Sequence, residues 1–198
     1  MYSFLTVWQN QPIIRVVFAG VGGKCSMEGK RLTSYAMEEL ECPKCGHKHS
    51  LKKYKVINVT EKAKLKEEIM KNRLYQFSCE ECEYMAPLTY DSLYVDSRRN
   101  IMIYMAPVMN AEIKAEIAEL EQEKGIDKRL VDNINDLKEK IMIADNHLDD
   151  RVIEIIKIMY IDQMKKEMED DTLLNILFDY NRDNYCFLVF FQKKGIGK

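Results

Sequence analysis

The chain has 198 residues, of which 46% are hydrophobic and 31% are charged, and its formal net charge is −2. This length suits one ordinary domain or two small ones, and the composition excludes a disordered chain. No run of residues approaches the roughly 18 apolar residues that a membrane span requires, so we expect no membrane association. The near-neutral charge also argues against a dedicated nucleic-acid-binding protein, which usually carries a basic excess.

The first 26 residues differ in character from the rest of the chain. No acidic residue occurs between Met1 and Met27, although the remaining sequence is rich in Glu and Asp. Gly20 and Gly22 follow an apolar run, but a dinucleotide-binding loop would need its third glycine where Cys25 stands. We interpret residues 1–26 as a doubtful N-terminal extension, with translation from Met27 as a hypothesis.

Two Cys-x-x-Cys pairs, Cys42 with Cys45 and Cys79 with Cys82, dominate the chemistry of the sequence. Such pairs favour a metal over disulfides and indicate a reducing, cytoplasmic environment. Each pair can supply two thiolates from one tight turn, and zinc binds four of them as a tetrahedron. A rubredoxin-like iron site would use the same residues, whereas a thioredoxin-like redox site needs a single pair. The sequence therefore predicts Zn²⁺ at these four cysteines, with iron as the alternative.

Strands and a short helix are predicted around the two pairs. The β-branched and aromatic residues of 51–59 are typical of a strand, and Thr60 can cap a helix over residues 61–72. Residues 74–77 alternate as a strand that leads into the second pair. Residues 88–95 and 101–105 then form a hairpin that turns at residues 96–100.

A set of motifs between residues 37 and 109 resembles a known domain. The set comprises Cys42-Pro43-Lys44-Cys45-Gly46, the lysine- and tyrosine-containing strand, the short helix, Cys79-x-x-Cys82, and Leu88-Thr89-Tyr90-Asp91. It is similar to that of the CpXC domain family. The resemblance implies a bacterial or archaeal protein that binds zinc through the four cysteines and has no established activity. The second pair departs from the family pattern, with Glu80 where proline is usual and Glu83 where glycine often stands.

Histidines and lysines near the first pair suggest two further roles. His47 and His49 would share one face of a strand and could form a second metal site, although exposed polar histidines are more common. Five lysines with Tyr54 among them could bind nucleic acid. The simpler interpretation is a solvated face that balances the negative four-thiolate centre. The lysines are Lys44, Lys48, Lys52, Lys53 and Lys55.

The second half of the chain predicts helices followed by a hairpin. A helix over 111–124 ends at Gly125, a second includes Leu130 to Ile141, and a third follows Asp149 and runs through Met168. The third is apolar over much of its circumference, so we expect it to be buried. Residues 173–180 and 185–192 form the hairpin, which is too apolar to stand alone.

His147, Asp149 and Asp150 could suggest an acid–base cluster, but helix capping explains the two aspartates. We therefore predict no catalytic residue.

Taken together, these patterns predict an α+β protein. Residues 27–109 form a zinc-ribbon-like β module with an inserted short helix, and residues 110–198 form a helical region that ends in a β-hairpin. We expect a cytoplasmic, zinc-stabilised interaction or scaffold protein whose partner is another protein or a second copy of the chain. Nucleic acid is a weaker candidate partner. The alternatives are a zinc-dependent enzyme and a rubredoxin-like electron carrier.

Overall fold

The computed structural model describes residues 3–6, 31–167, 172–181 and 184–192. The strands are β1 (Ser3–Thr6), β2 (Ser34–Glu41), β3 (Lys48–Asn58), β4 (Gln76–Ser78), β5 (Met85–Pro87), β6 (Ser92–Asp96), β7 (Ile101–Met105), β8 (Asp127–Val131), β9 (Thr172–Asn181) and β10 (Asn184–Gln192). The helices are α1 (Lys64–Met70), α2 (Ala111–Glu121), α3 (Ile134–Asp145) and α4 (Asp150–Glu167), and a 3₁₀ turn covers Arg73–Tyr75. The predicted α+β class is confirmed.

The chain divides into two compact units, one formed by residues 23–138 and the other by residues 1–22 and 139–198. The domain limits at 26/27 and 109/110 stay predictions. Most of the proposed N-terminal extension, and the three glycines within it, lie outside the described residues. Among the described residues, no helix is long and apolar enough to cross a membrane.

A mixed five-stranded sheet in the order β2-β3-β6-β7-β8 forms the centre of the 23–138 unit. The β2–β3 and β6–β7 pairs are antiparallel, whereas β3–β6 and β7–β8 are parallel. Every residue of β6 and β7 is buried, as their nearly continuous apolar sequences require. Helix α2 packs Ile113 and Leu120 onto this sheet, and its first turn is capped by the Asn110 side chain.

A small antiparallel hairpin, β4 with β5, carries the second cysteine pair. Hydrogen bonds from buried tyrosines fix the segments that flank it. The Tyr75 and Ser92 hydroxyls lie 2.6 Å apart, and Tyr90 donates its hydroxyl to the Leu74 carbonyl at 2.8 Å. The stacked rings of Tyr75 and Tyr90 add apolar contact at this point. The hairpin is therefore held to the start of β6 rather than left as a free loop.

The other unit contains an antiparallel sheet in the order β1-β10-β9, with α4 packed on it. The predicted terminal hairpin is confirmed, and its Ile176, Phe178, Val189 and Phe191 side chains are buried. Helix α4 begins where it was predicted to begin, because the Asp149 carboxylate accepts a hydrogen bond from the Arg151 backbone N–H.

A buried network of charged groups also stabilises this unit. The Glu139 carboxylate is almost completely buried, and both of its oxygens lie 3.0 Å from Lys157 Nζ. The Phe178 backbone N–H of β9 donates to the same carboxylate. Lys140 pairs with Asp150 at 2.7 Å and also with Glu154. These contacts link α3, α4 and β9.

Two predicted helix starts are wrong. Thr60 does not cap α1, which begins three residues later than predicted, because its hydroxyl accepts the Ser97 N–H instead. The Asn58 side chain holds the intervening turn through the N–H groups of Thr60 and Glu61. Leu130 belongs to β8, and the next helix begins only after the Asn133 side chain caps it.

The prediction that the third helix is buried between other elements is wrong for one of its faces. One face of α4 packs on the sheet through Ile153, Tyr160, Ile161 and Met164. The opposite face leaves Val152, Ile155, Ile158 and Met159 exposed. A sheet on one side can cover only one face of a helix, so the apolar residues on the other face remain accessible in the described part of the chain.

Candidate metal centre

Two equivalent turns position the four predicted ligands. Cys42 and Cys45 lie in the turn between β2 and β3, and Cys79 and Cys82 lie in the turn between β4 and β5. In the first turn, the Cys42 N–H donates to the His47 carbonyl and the Gly46 N–H donates to the Cys42 carbonyl, both at 2.8 Å.

The second turn has the same two backbone hydrogen bonds at the equivalent positions. The Cys79 N–H donates to the Tyr84 carbonyl at 2.8 Å, and the Glu83 N–H donates to the Cys79 carbonyl at 3.0 Å. The residue after each Cys-x-x-Cys pair has a positive φ, 74° at Gly46 and 56° at Glu83. The backbone therefore reverses in the same way in both turns and directs each pair of sulfurs to one side.

The four sulfur atoms converge on one point. Cys42 Sγ lies 3.7 Å from Cys82 Sγ, and Cys45 Sγ lies 3.6 Å from Cys79 Sγ. All four sulfurs lie within 4.8 Å of one another. A tetrahedral metal with metal–sulfur bonds of about 2.3 Å separates its sulfurs by about 3.8 Å. The spacing therefore fits a single metal ion with one ligand from each cysteine, and the four cysteines lie close enough together to bind a metal.

Burial and hydrogen bonds alter the pKa values of the thiols in opposite directions. Burial raises the pKa of Cys42. Hydrogen bonds from the backbone N–H groups of Lys44 and Cys45 and from the neighbouring thiols lower it by more, so that the net value is about 7. The His47 backbone N–H lowers the pKa of Cys45, but burial and the three other thiols outweigh it and raise the value to about 12. Burial also raises the pKa of Cys82. One thiolate therefore forms readily, whereas a nearby cation would be needed to stabilise all four cysteines as thiolates.

An apolar cluster packs against two of the four cysteines. Cys42, Cys79 and Phe77 are buried together, with Leu51 and Tyr84 packed against them. Cys45 is exposed and Cys82 is half-buried. The two turns are also joined by Lys44, whose Nζ lies 3.5 Å from the Cys82 carbonyl oxygen. The ligands are consequently fixed from one side and accessible from the other.

The two nearby histidines do not form a second ligand cluster. Among the described residues, the group of convergent ligand atoms consists of the four cysteines alone. The rings of His47 and His49 do lie side by side, with centroids 4.8 Å apart, as their predicted shared face implies. His49 Nε2 points to Cys79 and lies 3.2 Å from its sulfur. Sequence reasoning missed this contact, because the cysteine belongs to the other turn.

Two lysines of the predicted basic face interact with an acidic or an aromatic side chain. Lys53 pairs with Glu38 of the neighbouring strand, and Lys52 Nζ lies 4.9 Å from the centre of the Tyr35 ring. Strand β2, which was not predicted, carries Glu38, Glu39 and Glu41 alongside these lysines. The face is therefore of mixed charge.

The residues considered for acid–base catalysis serve structural roles. Asp149 caps α4, and Asp150 pairs with Lys140 in the buried charged network. His147 has a positive φ of 54° in the turn between α3 and α4. The lone cysteine Cys186 lies half-buried on β10.

Comparison with known proteins agrees with the geometry. The family model described as CpXC protein matches residues 40–157, more than half of the chain and both cysteine pairs. No curated protein and no solved structure matches the chain. The resemblance expected from residues 37–109 is thus confirmed and extends further toward the C-terminus. The chain belongs to the CpXC family.

Proposed function

We propose that this CpXC protein is a zinc-stabilised interaction protein in which Cys42, Cys45, Cys79 and Cys82 hold one structural Zn²⁺ in a reducing cytoplasm. The observation that carries the proposal is the convergence of four sulfurs within 4.8 Å, with two of the sulfur–sulfur distances, 3.7 and 3.6 Å, close to the tetrahedral value. Structural zinc sites are closed in this way by four protein ligands. The metal would join the two turns directly, and metal binding can supply on the order of 10 kcal/mol of apparent folding free energy.

A structural role fits the ligand set better than a catalytic one. Catalytic zinc normally has three protein ligands and keeps a position for water or substrate. Four thiolates fill that position and donate enough negative charge to make the metal a poor Lewis acid. Glu80 and Glu81 lie between the ligands in sequence, but both side chains are exposed.

Metal analysis and absorbance test the identity of the ion. Four thiolates bind ferric iron at similar bond lengths, and such sites are strongly coloured, whereas zinc sites are colourless. We expect the purified protein to be colourless and to contain about one zinc per chain. Cys79→Ser should lose the metal and unfold the 23–138 unit. Cys186 lies outside the cluster, so Cys186→Ser should keep the metal and the folded structure. A red, iron-containing protein would instead support the electron-carrier alternative.

The exposed face of α4 supports the interaction role. Val152, Ile155, Ile158 and Met159 recur at helical spacing and form one apolar stripe, which we call the α4 stripe. Ile158 and Met159 leave 64% and 67% of their surface exposed. A groove of about 370 Å³ between α4 and β9 borders the stripe at Ile158, and Leu174 lines it from β9. Contiguous apolar surface of this kind is typical of protein interfaces.

The occupant that best complements the α4 stripe is a second copy of the same helix. Arg151 and Asp162 lie at opposite ends of the stripe, separated by about 17 Å of helix. Within the chain Arg151 pairs with Asp149 and Asp162 pairs with Lys166, and the Arg151 and Asp162 side chains are still 81% and 71% exposed. In an antiparallel pair related by a two-fold axis, each Arg151 would meet the partner's Asp162, and Ile155 would meet the partner's Ile158. The stripe is thus complementary to itself in both charge and apolar contact.

Charge reversal at this pair tests the proposed dimer. We expect the wild-type chain to dimerise at high concentration in sedimentation, and Arg151→Asp to weaken the dimer at least tenfold through repulsion from Asp162. The double variant Arg151→Asp with Asp162→Arg should restore it. Val108→Glu, at an equally exposed apolar position outside α4 in the sequence, serves as control. A monomer at all concentrations, or a dimer indifferent to these changes, would exclude self-association through α4.

A further inference from the structure

A histidine from one hairpin reaches a predicted metal ligand in the other. His49 lies near the start of β3, two residues from His47, whereas Cys79 opens the turn after β4. The distance from His49 Nε2 to Cys79 Sγ is 3.2 Å, which is hydrogen-bonding distance for a nitrogen and a sulfur. No protein ligand is needed at this position, because the four cysteines already complete a tetrahedral set.

Two aromatic contacts hold the His49 ring in this orientation. Its centroid lies 5.3 Å from that of Phe77 with an interplanar angle of 79°, an edge-to-face arrangement. The His47 ring lies 4.8 Å away on another side at 61°. Phe77 is itself buried in the cluster beneath Cys42 and Cys79. The imidazole is therefore directed to the sulfur by packing and needs little further ordering to reach it.

The sulfurs of a four-thiolate centre need hydrogen-bond donors. Four thiolates around a divalent ion leave a net charge of about −2, and N–H groups directed at the sulfurs offset that charge. Backbone N–H groups do this for the other cysteines: those of Lys44 and Cys45 for Cys42, that of His47 for Cys45 and that of Tyr84 for Cys82. At Cys79 a side-chain donor is available as well, because neutral imidazole carries one N–H.

We propose that His49 is a positioning residue that donates its Nε2–H to Cys79 Sγ, so that it strengthens metal binding and lowers the reactivity of the Cys79 thiolate. The inference rests on the proposed metal-binding function and deepens it. Hydrogen bonding withdraws charge from the sulfur and makes it a weaker nucleophile toward alkylating agents. It also ties the second turn to β3, so the two halves of the site approach each other before the metal binds.

Three variants separate the hydrogen bond from packing. His49→Phe keeps an aromatic ring against Phe77 but removes the donor. His49→Gln keeps an N–H donor without the ring. His47→Phe is the matched control, because its side chain touches the His49 ring but not a sulfur. Circular dichroism of the zinc-loaded proteins establishes that each variant is folded before any comparison.

Two measurements decide the inference: the zinc dissociation constant by competition with a coloured chelator, and the alkylation rate of Cys79 by iodoacetamide, followed by peptide mass spectrometry. We expect His49→Phe to weaken zinc binding about tenfold, as loss of a hydrogen-bonded partner of a ligand usually does. Cys79 should be alkylated several-fold faster in this variant, His49→Gln should lie between it and wild type, and His47→Phe should match wild type.

The failure of this inference is distinct from that of the proposed function. If wild type binds one zinc and His49→Phe equals it in both affinity and Cys79 alkylation, His49 has no such role and the structural zinc site stands. If His47→Phe and His49→Phe weaken binding equally, packing rather than the hydrogen bond is responsible, and the inference is overturned. If wild type binds no metal, the proposed function itself fails and the inference fails with it.

Discussion

Glu83 occupies in the second cysteine turn the position that Gly46 occupies in the first. Both residues follow a Cys-x-x-Cys pair, both have a positive φ, and both donate their N–H to the carbonyl of the first cysteine of the pair. Glycine adopts this conformation freely, whereas a residue with a Cβ is strained there. The departure from the family pattern noted in the sequence therefore leaves the turn geometry unchanged and carries an energetic cost.

The first prediction is that Glu83→Gly stabilises the protein. Removing the Cβ at a φ of 56° relieves backbone strain, partly offset by the greater freedom of glycine in the unfolded chain. We expect the free energy of unfolding to rise by about 0.5 kcal/mol in denaturant titrations of the metal-loaded protein. The reverse change, Gly46→Ala, should lower it by about 1 kcal/mol. A loss of stability in Glu83→Gly would show that the glutamate side chain has a role of its own.

The second prediction concerns the buried carboxylate of Glu139. Lys157 is its nearer cationic partner, at 3.0 Å, and Lys140 Nζ lies 3.5 Å away, so Lys157→Met would leave the buried negative charge only partly compensated. We expect a loss of about 3 kcal/mol in the stability of the unit that contains residues 139–198, the lower end of the cost of breaking a buried ion pair.

A double variant provides the control for this change. Adding Glu139→Gln to Lys157→Met removes the uncompensated charge, and the Gln carbonyl can still accept the Phe178 N–H. The double variant should therefore be more stable than Lys157→Met alone. Equal stability of the two variants would indicate that lost packing, and not the buried charge, explains the effect.

The third prediction is a pH dependence that arises from Glu154. Burial raises the pKa of this carboxyl, but hydrogen bonds from Lys140 and Lys157 lower it more, so the net shift is below its usual 4.5. A carboxyl with a lowered folded-state pKa stabilises the protein above its unfolded value and loses that contribution as the pH falls through the folded value. The stabilisation should be complete near neutral pH and decline below about pH 4.5.

Comparison of two carboxylate variants isolates this contribution. Glu154→Gln should be less stable than wild type at neutral pH, and the difference should shrink as the pH falls below 4.5. Glu119→Gln removes an exposed carboxylate of α2, outside the proposed dimer contact, and should show a much smaller difference. Denaturant midpoints measured between pH 3 and 7 provide the comparison. A Glu154→Gln difference that does not depend on pH would contradict the assignment.

The sequence was most informative where the signal is local. The cysteine pairs, the Asp149 cap and the terminal hairpin each depend on residues within a few positions of one another, and the structure contains all three elements. The candidate ligands also followed from spacing alone, because metal chemistry restricts which residues can act together.

Non-local contacts explain what the sequence could not predict. Thr60 is a residue type that often caps helices, but its hydroxyl accepts a hydrogen bond from the backbone N–H of Ser97, which is distant in sequence. Strand β8 is polar and is a strand because it pairs with β7, which local propensity does not reveal. The contact of His49 with Cys79 joins residues from two different hairpins. The apolar α4 pattern predicted burial, although part of it lies on the accessible face.

The central claim, a closed zinc site with four thiolate ligands, is tested most directly by X-ray absorption at the zinc edge of the purified protein. The structure predicts a first shell of four sulfurs at about 2.3 Å, with no nitrogen or oxygen ligand. His49 should contribute only beyond that shell, since it contacts a sulfur. A first shell with three sulfurs and one nitrogen or oxygen, or binding of a hydroxamate at the zinc without its displacement, would contradict the account and indicate an open, catalytic site.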